Sequence, residues 1–217
     1  MKRGFTLSEI LVTLGIIGVI SAITVPAVMS NFQKKTYEVG IKKAYNTVNT
    51  AIGTYMAAED IDDLSNAKFI VSDKDKQKEE LEKFAKRYFK VVKTCTDYGA
   101  CFSDKIYSLD RSENETMSKL AETRCTLSVV LADGISMCFK APSSKPAAAA
   151  DGTVPTVLSI DVDTNGNSTP NTAGRDLFTM VVDCDGVVKS SGAAVSNTSA
   201  LPMDISAVMD NGWKMDY

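Results

Sequence analysis

Residues 1–30 read MKRG, then FTLSEILVTLGIIGVISAITVPAVMS. From Ile10 to Asn31 there is no charged residue, and Leu, Ile and Val dominate. About 20 apolar residues cross the hydrocarbon core of a bilayer, so this stretch predicts a membrane-spanning helix. A secretory signal peptide would have a shorter apolar region and a small-x-small cleavage site, and neither is present. Pro26 lacks the N–H that a helix interior needs, so a kink is expected near residues 22–26. Glu9 is the misfit. A charge at membrane depth costs about 2.5–3.5 kcal/mol, which calls for a partner of opposite sign. A carboxylate in the first turn of a helix is also favoured by the helix dipole, by about 0.3–1 kcal/mol.

The periodicity continues beyond the apolar run. Tyr37, Ile41, Ala44, Tyr45, Val48, Ala51, Ile52 and Tyr55 recur at spacings of three and four. That is an amphipathic helix with one apolar stripe. One helix over 5–58 would be about 80 Å long. Its first half suits lipid on all sides, and its second half needs a domain on one face.

The rest of the composition narrows the function. The chain has 217 residues and a net charge of −3, with no histidine. Removing the apolar segment leaves enough for one globular domain. Acidic balance and the lack of a basic stripe give no sign of nucleic-acid binding. The missing histidine removes the commonest general base and metal ligand, and no convergent acid pair is recognisable, so an enzyme is not expected. The five cysteines are Cys95, Cys101, Cys125, Cys138 and Cys184. None forms a C-x-x-C pair, which argues against zinc, and a membrane segment ahead of them suggests an oxidising compartment. Closure of Cys95 with Cys101 and of Cys125 with Cys138 is the first expectation. Buried free thiols are the alternative.

Residues 74–92 predict a second helix whose apolar face is Leu81, Phe84, Ala85, Tyr88 and Phe89, capped by Ser72 or Asp73. Strand patterns follow. Residues 125–139 suggest a hairpin with its turn at Asp133-Gly134. A two-residue turn there would place Cys138 opposite Val129, so a bond to Cys125 needs a longer loop or a bulge. KPAAAADGTVP reads as a low-complexity loop. VLSIDVD and LFTMVVDCDGVVK suggest further strands, the second with a turn at Asp185-Gly186. The last residues, NGWKMDY, are expected to pack back as a final edge of the sheet. A tip-binding role for Trp213 and Tyr217 is the alternative. The fold class is α+β, a long N-terminal helix on an antiparallel sheet.

Gly4-Phe5-Thr6-Leu7-Ser8-Glu9 resembles the class III prepilin cleavage and methylation motif of type IV pilins and type II secretion pseudopilins. The basic leader, the glycine before the cut, the phenylalanine after it, and Glu9 and Pro26 at their mature positions carry the likeness over residues 1–55. The resemblance implies a leader at 1–4, a membrane and filament-core segment at 5–30, an amphipathic half-helix at 31–58 and a head at 59–217. It implies cleavage between Gly4 and Phe5 by a prepilin peptidase, and N-methylation of Phe5. The mature subunit would wait in the inner membrane with its head in the periplasm. It would then join a homo-oligomeric filament through an inner-membrane assembly platform. Glu9 of an incoming subunit would pair with the Phe5 amine of its neighbour. Charge bias does not favour this orientation, since Lys2 and Arg3 face Lys34, Lys35, Lys42 and Lys43 across the span. A minor pilin binding DNA, a surface or a secreted substrate at a filament tip is the first alternative. A membrane-anchored periplasmic enzyme is the second.

Asp161, Asp163 and Asn165 alternate ahead of Gly166, with Asp176 further on. Calcium takes six to eight oxygens, and such a loop can supply them. The start resembles an EF-hand loop, but Thr172 stands where the bidentate glutamate belongs. The alternative is a connection whose side chains bond their own backbone. No cofactor is required by either version.

Overall fold

The computed structural model describes residues 4, 6–95, 100–103, 105–116, 124–147, 154–169, 171–189 and 202–216. The expectations placed on Met1–Arg3, Phe5, Tyr217 and part of the 145–155 loop lie outside these residues. Helix α1 spans Leu7–Glu59, with Pro26 inside it. The chain divides into two compact units, Met1–Thr36 and Tyr37–Tyr217.

In the first unit the helix is apolar and unburied. Leu7 is 80% exposed and Ile23 72%, and the large apolar side chains between them are exposed too. In water such a surface would aggregate, so it calls for an apolar solvent. The helix is long and apolar enough to cross a membrane.

The second unit is the head, and it begins within α1. Ile41, Ala44, Val48, Ala51, Ile52 and Tyr55 are buried, which makes residues 37–58 part of the head's core. Helix α2 runs Lys74–Tyr88. Asp73 caps it by accepting from the N–H groups of Asp75 and Lys76. Losing such a cap costs about 1 kcal/mol. Asp73→Ala should therefore lower the thermal midpoint of the full chain in detergent by about 2–4 °C.

The strands are β1 Val91–Cys95, β2 Lys105–Tyr107, β3 Glu113–Thr116, β4 Leu127–Leu131, β5 Ser136–Lys140, β6 Thr156–Asp163, β7 Asn171–Thr172, β8 Leu177–Asp183, β9 Val188–Lys189 and β10 Met203–Asp204. Helix α3 is Ser206–Met209. The main sheet has seven strands in the order β1-β4-β5-β6-β8-β10, with β9 also paired to β8. Every pairing in it is antiparallel except that of β10 with β8. A small sheet runs β3-β2-β7. The class is α+β, as the sequence pattern predicts.

Side-chain alternation gives the main sheet two different faces. Leu127, Val129, Phe139, Ile160, Val162 and Met180 meet α1 and α2 in one core. On the other face Cys138 and Leu177 form a smaller core with Cys95, Cys101, Phe102 and Ile106. Ser128, Ser136, Asp161 and Asp163 share the parity of Cys138 across the paired strands and are buried with it.

Three expectations need correcting. The second helix stops at Tyr88, not at residue 92. Val91 and Val92 are β-branched and pair into β1 instead. The hairpin loop has three residues, because Leu131 donates to the Ile135 carbonyl and Gly134 takes a φ of 86°. Cys138 therefore faces Ser128, one residue from the two-residue register, and Cys125 lies just before β4. The C-terminal aromatic does not extend the sheet. Trp213 stacks edgewise on Tyr45 of α1 at 5.1 Å, and Glu38 accepts from the Met215 N–H at 2.9 Å. Cys95–Cys101 and Cys125–Cys138 are disulfides, with Cα separations of 5.9 and 5.6 Å. Cys184 is a half-buried free thiol.

Candidate functional site

Two places carry the predicted site residues. The first is the start of α1. Thr6 and Glu9 stand three apart, the spacing of a capping box. The Thr6 N–H and hydroxyl each donate to Glu9 Oε2 at 2.8 Å, and the Glu9 N–H donates to Thr6 Oγ1 at 3.3 Å. Two of the otherwise orphaned polar groups of the helix start are thus satisfied reciprocally. The acid that looks misplaced along the sequence has a local partner within its own turn. Both bonds to the carboxylate use Oε2, and among the described residues Oε1 has no partner. At Gly4 an added Cβ would meet no atom within 4 Å. Among the described residues, nothing crowds a Cβ at this position.

The second place is the connection between β6 and β8. The four residues expected around a cation do not form one shell. Asp161 is taken by Arg124, whose Nε and Nη2 donate to its two oxygens at 3.1 and 3.0 Å, and by the Thr179 hydroxyl at 2.6 Å. Asp163, Asn165 and Asp176 do come together. The Asn165 N–H donates to Asp163 Oδ1 at 3.0 Å, and its Nδ2 donates to Asp176 Oδ2 at 3.0 Å. Asp176 Oδ1 also accepts from the Thr172 N–H. Asp163 is 0% exposed and Asp176 1%, and Asp163 Oδ2 has no hydrogen-bond partner.

Two carboxylates buried this deeply without a paired cation cannot both be charged. Burial pushes Asp176 up to about 7. Burial first, then the charge of Asp176, pushes Asp163 well above the carboxylate range. Tyr37 of α1 also lies beside this group, its phenol raised by burial and by Asp176. Two carboxyls and one amide supply part of the six to eight oxygens calcium takes, and backbone carbonyls and water would have to supply the rest. Among the described residues, no three His, Cys, Asp or Glu side chains gather to hold a metal. The backbone bonds of Asn165 and Thr172 to these carboxyls are those of a fixed turn. Gly166, at a φ of 66°, completes it, and a Cβ there would lie 2.4 Å from the Gly134 carbonyl.

The Thr6–Glu9 box could have been found from its T-x-x-E spacing. The Arg124–Asp161 pair had no such signal, since 37 residues separate its members.

No curated protein and no solved structure matches the chain. Residues 1–25 match the family model of the prokaryotic N-terminal methylation motif, so the chain carries the class III prepilin signature of type IV pilins and pseudopilins.

Proposed function

We propose that this chain is a structural subunit of a type IV pilus or a type II secretion pseudopilus. The methylation motif at residues 1–25, which takes in the start of an unburied apolar helix, carries this reading. A prepilin peptidase cuts between Gly4 and Phe5 and methylates the new amine of Phe5. The subunit then rests in the inner membrane, with its head in the periplasm, where the oxidising conditions suit two disulfides. Assembly moves the apolar half of α1 from lipid into the core of a filament, so the same surface stays out of water throughout. Glu9 keeps its helix cap and offers its remaining oxygen to the Phe5 amine of the neighbour already in place. In an apolar core such a pair fixes axial register more than it adds stability. The role is not enzymatic and uses no cofactor. The buried Asp163 and Asp176 hold a proton in place of a cation.

Mass spectrometry of the chain recovered from its own cells tests the reading. An N-terminal N-methylphenylalanine is the expected result, together with filaments in the sheared fraction. An uncut N-terminus at Met1 in assembled material would overturn it.

A further inference from the structure

We propose that a lysine-edged apolar groove on one copy of the head receives the acidic end of the head of a second copy. The contact rests on the filament reading and names the surfaces through which neighbouring heads meet.

The groove has a volume of about 770 Å³ and lies between α1, the end of α2 and the β4–β5 turn. Val39, Phe89 and Leu131 line it, and Lys42, Lys43 and Lys90 edge it. Val39 is 68% exposed on an otherwise amphipathic stretch of helix, so its own head leaves it uncovered. Lys43 is paired with Asp133 at 2.8 Å, and Lys42 lies over the Trp213 ring at 5.7 Å. Lys90 is exposed and has no ion-pair partner among the described residues. Asp133 lines the groove too, so the occupant it asks for is apolar at its centre with an acid placed to reach Lys90.

The same head carries that chemistry where α1 ends. The 60–64 segment is tied to the β8–β9 turn, because the Leu64 N–H donates to the Cys184 carbonyl at 2.7 Å. This brings Asp60, Asp62, Asp63, Asp183 and Asp185 to one end. Three of them lie near Cys184, whose thiol is raised by burial and then by Asp185, Asp63 and Asp183. Asp63 is paired with Lys145 and Asp183 with Lys189. Asp60, Asp62 and Asp185 have no ion-pair partner among the described residues. Beside them Val187 is 46% exposed. Acids around an exposed valine thus complement lysines around an exposed valine.

The two patches are different surfaces, so joining them is a head-to-tail contact that need not close on itself. From Asn46 in the groove to Asp60 is about 20 Å along the helix axis. Parallel copies joined this way are staggered by that amount, not level.

Charge exchange on the full chain tests the contact, with filaments sheared from cells as the readout. Lys90→Glu and Asp62→Lys should each cut filament recovery about tenfold, and the two together should restore it to within about twofold. Both positions are at the surface, so membrane levels and disulfides should stay native in all three. A carbodiimide, which joins touching amines and carboxyls, should link Lys90 or Lys42 to Asp60, Asp62 or Asp185 between isotopically distinct copies. Single variants that assemble normally, a double variant that stays defective, or links from these lysines to another protein would each overturn the contact and leave the filament reading standing. A native chain that forms no filaments would remove both.

Discussion

A Glu9→Ala chain is expected to reach the membrane and to be cut after Gly4, yet to yield filaments at less than one-tenth of the native level. Removing one member of a buried charge pair leaves the other unpaired, at a cost of about 3–5 kcal/mol. Every 1.4 kcal/mol is about tenfold in an equilibrium, and the loss recurs at each subunit added. The capping bonds from Thr6 go as well, but they are worth only about 1 kcal/mol and act within one chain. Glu9→Gln separates the two roles. It can still accept from Thr6 and keep the helix start, while it lacks the charge that an amine needs. Normal filament numbers from Glu9→Ala would sink the register role. Normal numbers from Glu9→Gln alone would reduce Glu9 to a cap. Gly4 variants fail at an earlier step. A bulky Gly4→Trp should accumulate as uncut chain, and Gly4→Ala should be slowed far less. A Cβ at Gly4 meets no atom within 4 Å, so Gly4→Ala introduces no clash among the described residues.

The head should be most stable in mild acid. Asp176 has a pKa near 7 in the folded chain against 3.8 for an ordinary aspartate. Between those values the folded state binds the extra proton, so stability falls as pH rises from about 4 to about 7. The shift corresponds to a loss on the order of 4 kcal/mol, or about 10 °C of thermal midpoint for a chain of this size. Asp163 adds to it in the same direction. Asp176→Asn removes the titration and keeps an oxygen for the Thr172 N–H. Its midpoint should exceed the native one at pH 8 and vary less between pH 4 and pH 8. Asp176→Ala removes both acceptors and should be destabilising throughout. Melting the full chain in detergent across this range measures all three. A native midpoint as high at pH 8 as at pH 5 would rule out the shared proton. Millimolar calcium should leave the pH 8 midpoint unchanged, and a rise would put a cation where we place the proton.

What was legible in the sequence divides by the range of the interactions. The stripe from Tyr37 to Tyr55, the Asp73 cap and the turns at Gly134 and Gly186 depend on neighbours within a few residues, and each shows in the local pattern. The end of α2 did not, because the apolar spacing carries on through Phe89 and Val91 while pairing with β4 decides the backbone. At the loop after β6, Asp163, Asn165 and Asp176 are hydrogen-bonded together, while Asp161 is held by a residue far away in the chain. Asp161 alternates with Asp163 and shares its sheet face. Only the folded chain reveals that Arg124 reaches across to take it. The docking of Trp213 on Tyr45 was hidden for the same reason, since 168 residues separate the two along the chain, as their numbers show.

The disulfides have a consequence for resistance to proteolysis. Cys95–Cys101 closes over a short polar stretch, and Cys125–Cys138 spans the hairpin turn. A protease that nicks the backbone inside either loop makes two polypeptides but does not release one of them. The pieces stay tethered and the sheet they share stays assembled. Damage of this kind would be invisible on a non-reducing gel and would show as two bands once a thiol is added. A filament built of such subunits could carry many cuts and lose no part of its surface.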